Sequence, residues 1–467
     1  MATLRLRDDI GLRVHYADHT RFGSAVTGLI DRLITGACAP LLALARREGP
    51  ARLVAATSSL VPQILHPQAL GALFERRDVL REDCLYPAAE RVTPVRIVAY
   101  GLGAEGTGTC SIPLPRGSVG ELADVIAALE RGVARPRYGL GAALWDELFA
   151  AGALVGPARG DADGDVLPDG VTCIGHATIV AQLDGVRVVV DPFAVPPSRG
   201  DPQDARPLPC RAFHPDAVCI THSHPDHYDL HALLRFGADT TIIVPVVERE
   251  SLLAVDMARR LRELGFRRVV ALGWHQETRV GPFRVTALPF YGEQPTSGEF
   301  LHPEARNQGN TYLLAAKGRQ IACIADAGAD AAGRTVELAA DIAARHGALD
   351  VLFGGYRAWR LHPLEYLGTS VARYLLQGPR QQWGERQQIM HDAEDLLDTA
   401  SAWRARQVVP YANGGAPWFA RLGLGPHGAD NGDFDPELDT VVRARRRRQT
   451  GPELRLMRPG ESMDIFV

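Results

Sequence analysis

Four metal-ligating side chains fall within six consecutive residues in the stretch Thr221-His222-Ser223-His224-Pro225-Asp226-His227, and few folds can deliver such a stretch to one point. Ala217-Val218-Cys219-Ile220, just before it, is short, apolar and partly β-branched, which predicts a buried strand running into the cluster. Imidazoles at alternating positions of extended backbone point the same way. The chain then turns at Pro225 and presents a carboxylate and a further imidazole. The pattern suits two neighbouring metal ions, with His222 and His224 on one and Asp226 and His227 on the other.

The remaining composition narrows the setting. The chain has 467 residues, 46% hydrophobic and 23% charged, which is ordinary for a globular protein and long enough for two or more domains. A net charge of -4 gives no reason to expect nucleic acid as a partner. No apolar run approaches the roughly 18 residues of a membrane-spanning helix. The early charges Arg5, Arg7, Asp8 and Asp9 do not suit a signal peptide, so a cytoplasmic protein without membrane association is expected. The seven cysteines (Cys38, Cys84, Cys110, Cys173, Cys210, Cys219 and Cys323) form no C-x-x-C pair, which suits reduced thiols and removes a built-in ferredoxin or Rieske centre.

Residues 1–155 lack the His/Asp vocabulary of the centre. Helical spacing of apolar residues over 25–47, 119–132 and 141–155, with a strand at 96–100, predicts a separate α/β or mostly helical N-terminal domain for packing, oligomerisation or partner docking. A homo-oligomer is expected. The Gly/Asp-rich stretch from Gly156 reads as a linker over 156–170, leaving 171–467 as the metal domain. There, Val171–Leu183 and Val186–Val190 flank the turn Asp184-Gly185, and Thr311–Ala315 and Gln320–Ile324 flank Lys317-Gly318. Further strands are predicted at Val269–Leu272, Phe283–Leu288 and Asp350–Gly354, with a helix at Glu248–Leu264. Hairpins mixed with strand–helix–strand units predict a layered α/β sandwich with mixed sheets.

Over about residues 165–440 these features resemble the metallo-β-lactamase superfamily. The H-x-H-x-D-H cluster carries the resemblance, with Gly175-His176 in the opening hairpin, Asp191-Pro192 at a strand end and Ala325-Asp326-Ala327-Gly328 where many relatives have Gly-Asp-Thr. The resemblance implies an αββα sandwich, and the layout is most similar to the branch of N-acyl-phosphatidylethanolamine phospholipase D type hydrolases. It also implies that Asp326 bridges two metals. Two positions depart from those hydrolases. Where they carry a histidine after a Pro-containing strand end, this chain has Pro289-Phe290-Tyr291-Gly292-Glu293. Where a last histidine ends a later strand, it has Tyr411-Ala412-Asn413-Gly414-Gly415.

Exchanging imidazole for carboxylate lowers the net charge of the site and hardens it, favouring iron or manganese over the nitrogen-rich environment of a zinc hydrolase. The pattern resembles an oxygenase subgroup of the superfamily, typified by the diiron β-hydroxylase of chloramphenicol biosynthesis, in which glutamate replaces the usual histidine and an N-terminal domain precedes the metal domain. The resemblance implies that His222, His224 and Glu293 hold one iron, Asp226 and His227 the other, and that Asp326 is shared. His391 is the favoured remaining ligand and His362 its alternative; on the first choice residues 361–388 are an insertion.

The implied activity is a diiron oxygenase. Its cofactors are two iron ions, with manganese or zinc as the alternative, and its co-substrate is O2. Electrons come from an external donor, and the substrate is amino-acid- or amine-like, either free or held on a peptide-synthetase carrier protein. The competing expectation is a metal-dependent hydrolase of a phosphodiester, ester or amide. His176 is open between a core residue and a metal neighbour. Asn310, Tyr291 and His275 read as structural, and Arg445 to Arg448 as a solvated helix end.

Overall fold

The computed structural model describes residues 3–18, 74–76, 79–80, 92–101, 109–156, 167–193, 214–224, 226–250, 255–292, 308–330, 332–358, 388, 390–412 and 438–466. Near the N-terminus, β1 (Ile10–Asp18), β2 (Val92–Gly101) and β3 (Cys110–Pro113) form an antiparallel sheet, followed by α1 (Leu122–Arg131) and α2 (Gly139–Ala150). The helix expected over 25–47 lies outside the described residues, as does most of the expected linker.

The metal region begins with β4 (Gly170–Gly175), β5 (Thr178–Leu183), β6 (Val186–Val190), β7 (Ala217–Cys219), α3 (Leu230–Phe236), β8 (Thr241–Pro245), α4 (Met257–Glu263) and β9 (Val269–Leu272). It continues with β10 (Glu277–Val280), β11 (Phe283–Pro289), β12 (Asn310–Ala316), β13 (Arg319–Cys323), α5 (Thr335–His346) and β14 (Val351–Gly354). The last elements are α6 (Ala393–Ala402), β15 (Gln407–Pro410), α7 (Leu438–Arg447), β16 (Glu453–Leu454) and β17 (Ser462–Met463). Two seven-stranded sheets result, ordered β9-β8-β7-β6-β5-β4-β17 and β10-β11-β12-β13-β14-β15-β16. Both are mixed. In the first, β6 to β9 run parallel and the hairpin strands antiparallel; in the second, β13 to β16 run parallel.

Alternation along each strand builds the layers. Ile179, Ala181 and Leu183 of β5, Ala217 and Cys219 of β7, Phe283 and Val285 of β11, Tyr312 and Leu314 of β12 and Val351 and Phe353 of β14 fill the space between the sheets. Their neighbours Leu313, Ala322 and Leu352 face outward under α5, α6 and α7. On the other side, Val180, Val189, Val218 and Ile242 share one buried cluster with Ile126 of α1, Leu144 of α2 and Leu12 and Ile97 of the N-terminal sheet. The N-terminal residues therefore supply much of the helical layer over the first sheet, beside α3 and α4.

That joint is close and polar as well as apolar. Arg235 of α3 pairs with Glu130 of α1 and donates to the carbonyls of Arg7 and Ile10 at 2.9 and 2.8 Å. Gly265 has φ +101°, and a Cβ there would stand 2.2 Å from the Gly120 carbonyl oxygen. Gly265→Ala is accordingly expected to lower stability by about 1–3 kcal/mol, the usual cost of a strained backbone position. Urea unfolding measures this, and an unchanged midpoint would show that the joint is looser than described.

Two segments differ from their sequence expectations. Val171–Leu183 is not one strand: it folds back at His176-Ala177, because Gly175 at φ +137° and His176 at φ +49° turn the chain there. The helix expected from Glu248 begins at Met257 among the described residues, where Asp256 caps it by accepting from the Arg259 N–H at 2.9 Å. The Arg-rich end of α7 is paired rather than solvated throughout: Arg447 and Arg448 bond Glu394 of α6, and Arg445 bonds the Pro452 carbonyl.

Candidate metal centre

The parallel strand β7 ends at Cys219, and Thr221 to His227 follow over the strand ends of the first sheet. His222, His224, Asp226 and His227 are all buried, between 0% and 8% exposed, which is costly for these side chains unless each has a polar or metal partner. A second buried carboxylate organises them. Asp191, at the end of β6 with φ +43°, accepts from the Thr221 N–H at 2.7 Å and from the Thr221 hydroxyl at 2.6 Å, and lies 2.8 Å from His227 Nδ1. Since the carboxylate only accepts, the Thr221 hydroxyl proton is spent on it, and the hydroxyl oxygen takes the proton of His222 Nδ1, 2.9 Å away. Both imidazoles are thereby held with Nδ1 protonated, leaving Nε2 as the ligating atom.

Asp326 arrives from the second sheet on a tight turn after β13, with Ala325 at φ +44°. The Ala325 N–H donates to the Tyr411 hydroxyl at 3.1 Å, and the Gly355 N–H donates to the Ala325 carbonyl at 2.9 Å. Tyr411 thus braces the turn from the strand end at which hydrolases were expected to carry a histidine. Asp326 Oδ2 lies 3.1 Å from His227 Nε2. Ligating atoms of His222, His227 and Asp326 all lie within 4.8 Å of one another, so Asp326 meets one imidazole from each half of the motif. A second set of the same kind joins His176, Asp226 and His227.

The electrostatics suit a cation. Burial would raise the Asp226 carboxyl, but the imidazoles of His227, His176 and His224 outweigh it and hold the group well below the usual carboxylate range. Burial opposes a charge on His227, yet Asp326, Asp226 and Asp191 push its pKa well above the ordinary imidazole value. Asp226 Oδ1 and Asp326 Oδ1 are buried with no hydrogen-bond partner among the described residues. Unspent carboxylate oxygens beside outward-facing imidazole nitrogens are a donor set that one or two metal ions satisfy.

The other expected ligands fall differently. Glu293 lies outside the described residues, as does His362. The chain leading to Glu293 is described: Phe290 packs its ring 5.1 Å from that of His222, the Gly328 N–H donates to the Tyr291 carbonyl at 2.7 Å, and the Gly292 N–H donates to Asp330 at 3.1 Å. At φ +93°, Gly292 lies so near the Asp326 turn that a Cβ would stand 2.8 Å from the Gly328 nitrogen. The His391 backbone also touches this turn, its N–H donating to the Ala327 carbonyl at 3.1 Å. Its ring is turned towards α6, with Nε2 3.5 Å from the Thr399 hydroxyl, and burial lowers its pKa to about 4. It joins neither three-donor set.

Sequence reasoning missed Asp191 and Thr221 as the groups that orient the ligands. The available signals were the Asp-Pro strand end and the threonine before the motif. Asn310 is structural, its side chain donating to the Leu272 carbonyl at 2.9 Å.

Residues 186–411 match the family model described as a beta-lactamase superfamily domain. Among solved structures, the chain is similar to CmlA, a diiron beta-hydroxylase from Streptomyces venezuelae, at 17% identity over 99% of each chain with a TM-score of 0.64. A mutant of that β-hydroxylase gives 18% identity, 98% and 99% coverage and a TM-score of 0.61. An uncharacterized protein of Mycobacterium tuberculosis is 32% identical over 148 residues, which is 30% of this chain and only 37% of that relative's length. A metal-dependent hydrolase of Exiguobacterium is 35% identical over 75 residues, 16% of this chain and 30% of the relative. The chain has the metallo-β-lactamase fold, and that fold resembles the one of the diiron β-hydroxylase. Among the described residues no helix is long and apolar enough to cross a membrane.

Proposed function

We propose that this chain of metallo-β-lactamase fold is a dinuclear iron oxygenase that oxidises an amino-acid- or amine-like substrate, free or held on a peptide-synthetase carrier protein. The observation that carries the reading is the path of the chain after β11: Phe290 against His222 and Tyr291-Gly292 against the Asp326 turn lead into Glu293, a carboxylate where a hydrolase would place an imidazole. His222, His224 and Glu293 would hold the first ion and Asp226 and His227 the second, with Asp326 within reach of both halves of the motif. Iron bound there supplies electron exchange with dioxygen, and an external donor restores the electrons.

The chain's own residues do the rest. Asp191 and Thr221 keep His222 and His227 in the ligating tautomer. Phe290, fully buried beside His222, excludes water from that side of the site. Residues 1–155 we take as a domain that covers the first sheet. The likeness to the diiron β-hydroxylase across nearly the whole chain supports this reading.

Hydrolysis by a metal-bound hydroxide is the second reading, favoured by the named hydrolase relative. Metal analysis and an optical spectrum of aerobically purified protein separate the two. About two irons per chain with oxo-bridged ferric absorption is the expected result, whereas a colourless zinc protein that cleaves a phosphodiester sinks the oxygenase. Glu293→His is expected to lower the iron-to-zinc ratio and abolish the ferric absorption; iron content and spectrum unchanged from wild type would remove Glu293 from the shell.

A further inference from the structure

We propose that His176 is a further nitrogen ligand of the second ion, the one assigned above to Asp226 and His227. The inference rests on the dinuclear reading but not on the choice between oxidation and hydrolysis. His176 Nε2 lies 3.2 Å from Asp226 Oδ2, and His227 Nε2 lies 3.8 Å from the same oxygen. Ligands placed about 2.0–2.2 Å from a first-row ion stand roughly 3–3.6 Å apart; the first separation falls in that range, the second is slightly wider, and all three donor atoms lie within 4.8 Å of one another, so a small inward shift of His227 lets them share one cation.

The backbone argues the same way. His176 occupies the first position of a two-residue hairpin turn at φ +49°, a left-handed conformation in which histidine, asparagine and aspartate are enriched among non-glycine residues. Hairpin turns ordinarily put such residues in solvent, yet the His176 side chain is only 3% exposed. A buried imidazole needs a polar or metal partner, and the turn places this one beside Asp226. Its ring centroid lies 5.0 Å from that of His227 and 5.8 Å from that of Phe193, which fixes its direction.

The hairpin is also pinned to the second sheet: the Ala412 N–H donates to the His176 carbonyl at 3.0 Å, so the turn sits against Tyr411-Ala412 and the side chain is held at the rim where both sheets end. His391, the ligand expected from the sequence, has Nε2 3.5 Å from the Thr399 hydroxyl and Nδ1 buried with no hydrogen-bond partner among the described residues, so it is tested beside His176.

The test is metal stoichiometry and affinity. Wild type, His176→Gly, His176→Asn and His391→Asn are loaded with Fe(II) without oxygen and desalted, with circular dichroism as the control for folding. Both His176 variants suit the left-handed turn, so the second keeps the experiment decisive should the first misfold. Wild type and His391→Asn are expected to retain about two ions per chain, and the His176 variants about one. In the His176 variants the apparent affinity for the second ion should fall by more than about 100-fold, the upper end of what outer-shell changes cost. Added imidazole should restore the second ion to His176→Gly. Two ions in His176→Gly with no imidazole response would make His176 a hydrogen-bonding neighbour of Asp226 and overturn the proposal. Loss of the ion in His391→Asn but not in the His176 variants would do so too. Fewer than two ions in wild type would overturn the dinuclear reading itself.

Discussion

Replacing Asp191 with alanine is expected to weaken both metal sites by about 10–100-fold, although Asp191 is assigned to neither ion. Its carboxylate bonds the Thr221 N–H and hydroxyl and faces His227 Nδ1, and through the hydroxyl it also sets His222. Without it, both imidazoles are free to place the proton on Nε2 and lose their ligating lone pair. Asp191 and Thr221 are fully buried, so the donors left without an acceptor each cost about 1–3 kcal/mol. Metal titration reads the first effect and urea unfolding of metal-free protein the second. Thr221→Val, which removes the hydroxyl between Asp191 and His222 and leaves the Asp191–His227 contact in place, should weaken one ion more than the other. A folded Asp191→Ala protein with wild-type affinity at both sites would refute the relay.

Arg235→Ala is expected to destabilise the chain by about 3–5 kcal/mol, through a site remote from the metals in function. The side chains of Arg235 and Glu130 are 3% and 8% exposed, and the guanidinium also satisfies two carbonyls of the N-terminal segment. Burial already raises the Glu130 carboxyl despite the attraction of Arg235; removing the arginine strands that carboxylate in the interior. The double substitution R235M/E130L should recover most of the loss, since apolar pairs of similar volume replace buried ion pairs at little cost. Urea unfolding of the three proteins checks this, and a loss below about 1 kcal/mol in R235A would mean that the joint between the N-terminal residues and α3 does not depend on the pair.

Several features were legible because they are local. The turn Lys317-Gly318 lies between β12 and β13 as expected, with both residues at positive φ, because two adjacent left-handed residues suffice to reverse a strand. The apolar segment before the His cluster is β7, and alternation within β11 to β14 marks their buried faces without knowledge of partners. The hairpin at His176-Ala177 was not legible, since the residues on both sides are mostly apolar and buried and read as one continuous strand. The start of α4 was misplaced because apolar spacing continued upstream of the Asp256 cap.

The sequence by itself determined the donor types, their spacing and the strand that delivers them, because a motif of six residues is covalently local. Only the tertiary structure decided that Asp191, 31 residues before His222, sets the tautomers of two ligands, and that Asp326, about 100 residues after the motif, reaches both of its halves. The same holds for the outer layer, where N-terminal helices and the first sheet bury one another. These pairings join residues whose sequence separation carries no pattern; they follow from closing two sheets face to face, which brings the strand ends of both to one rim.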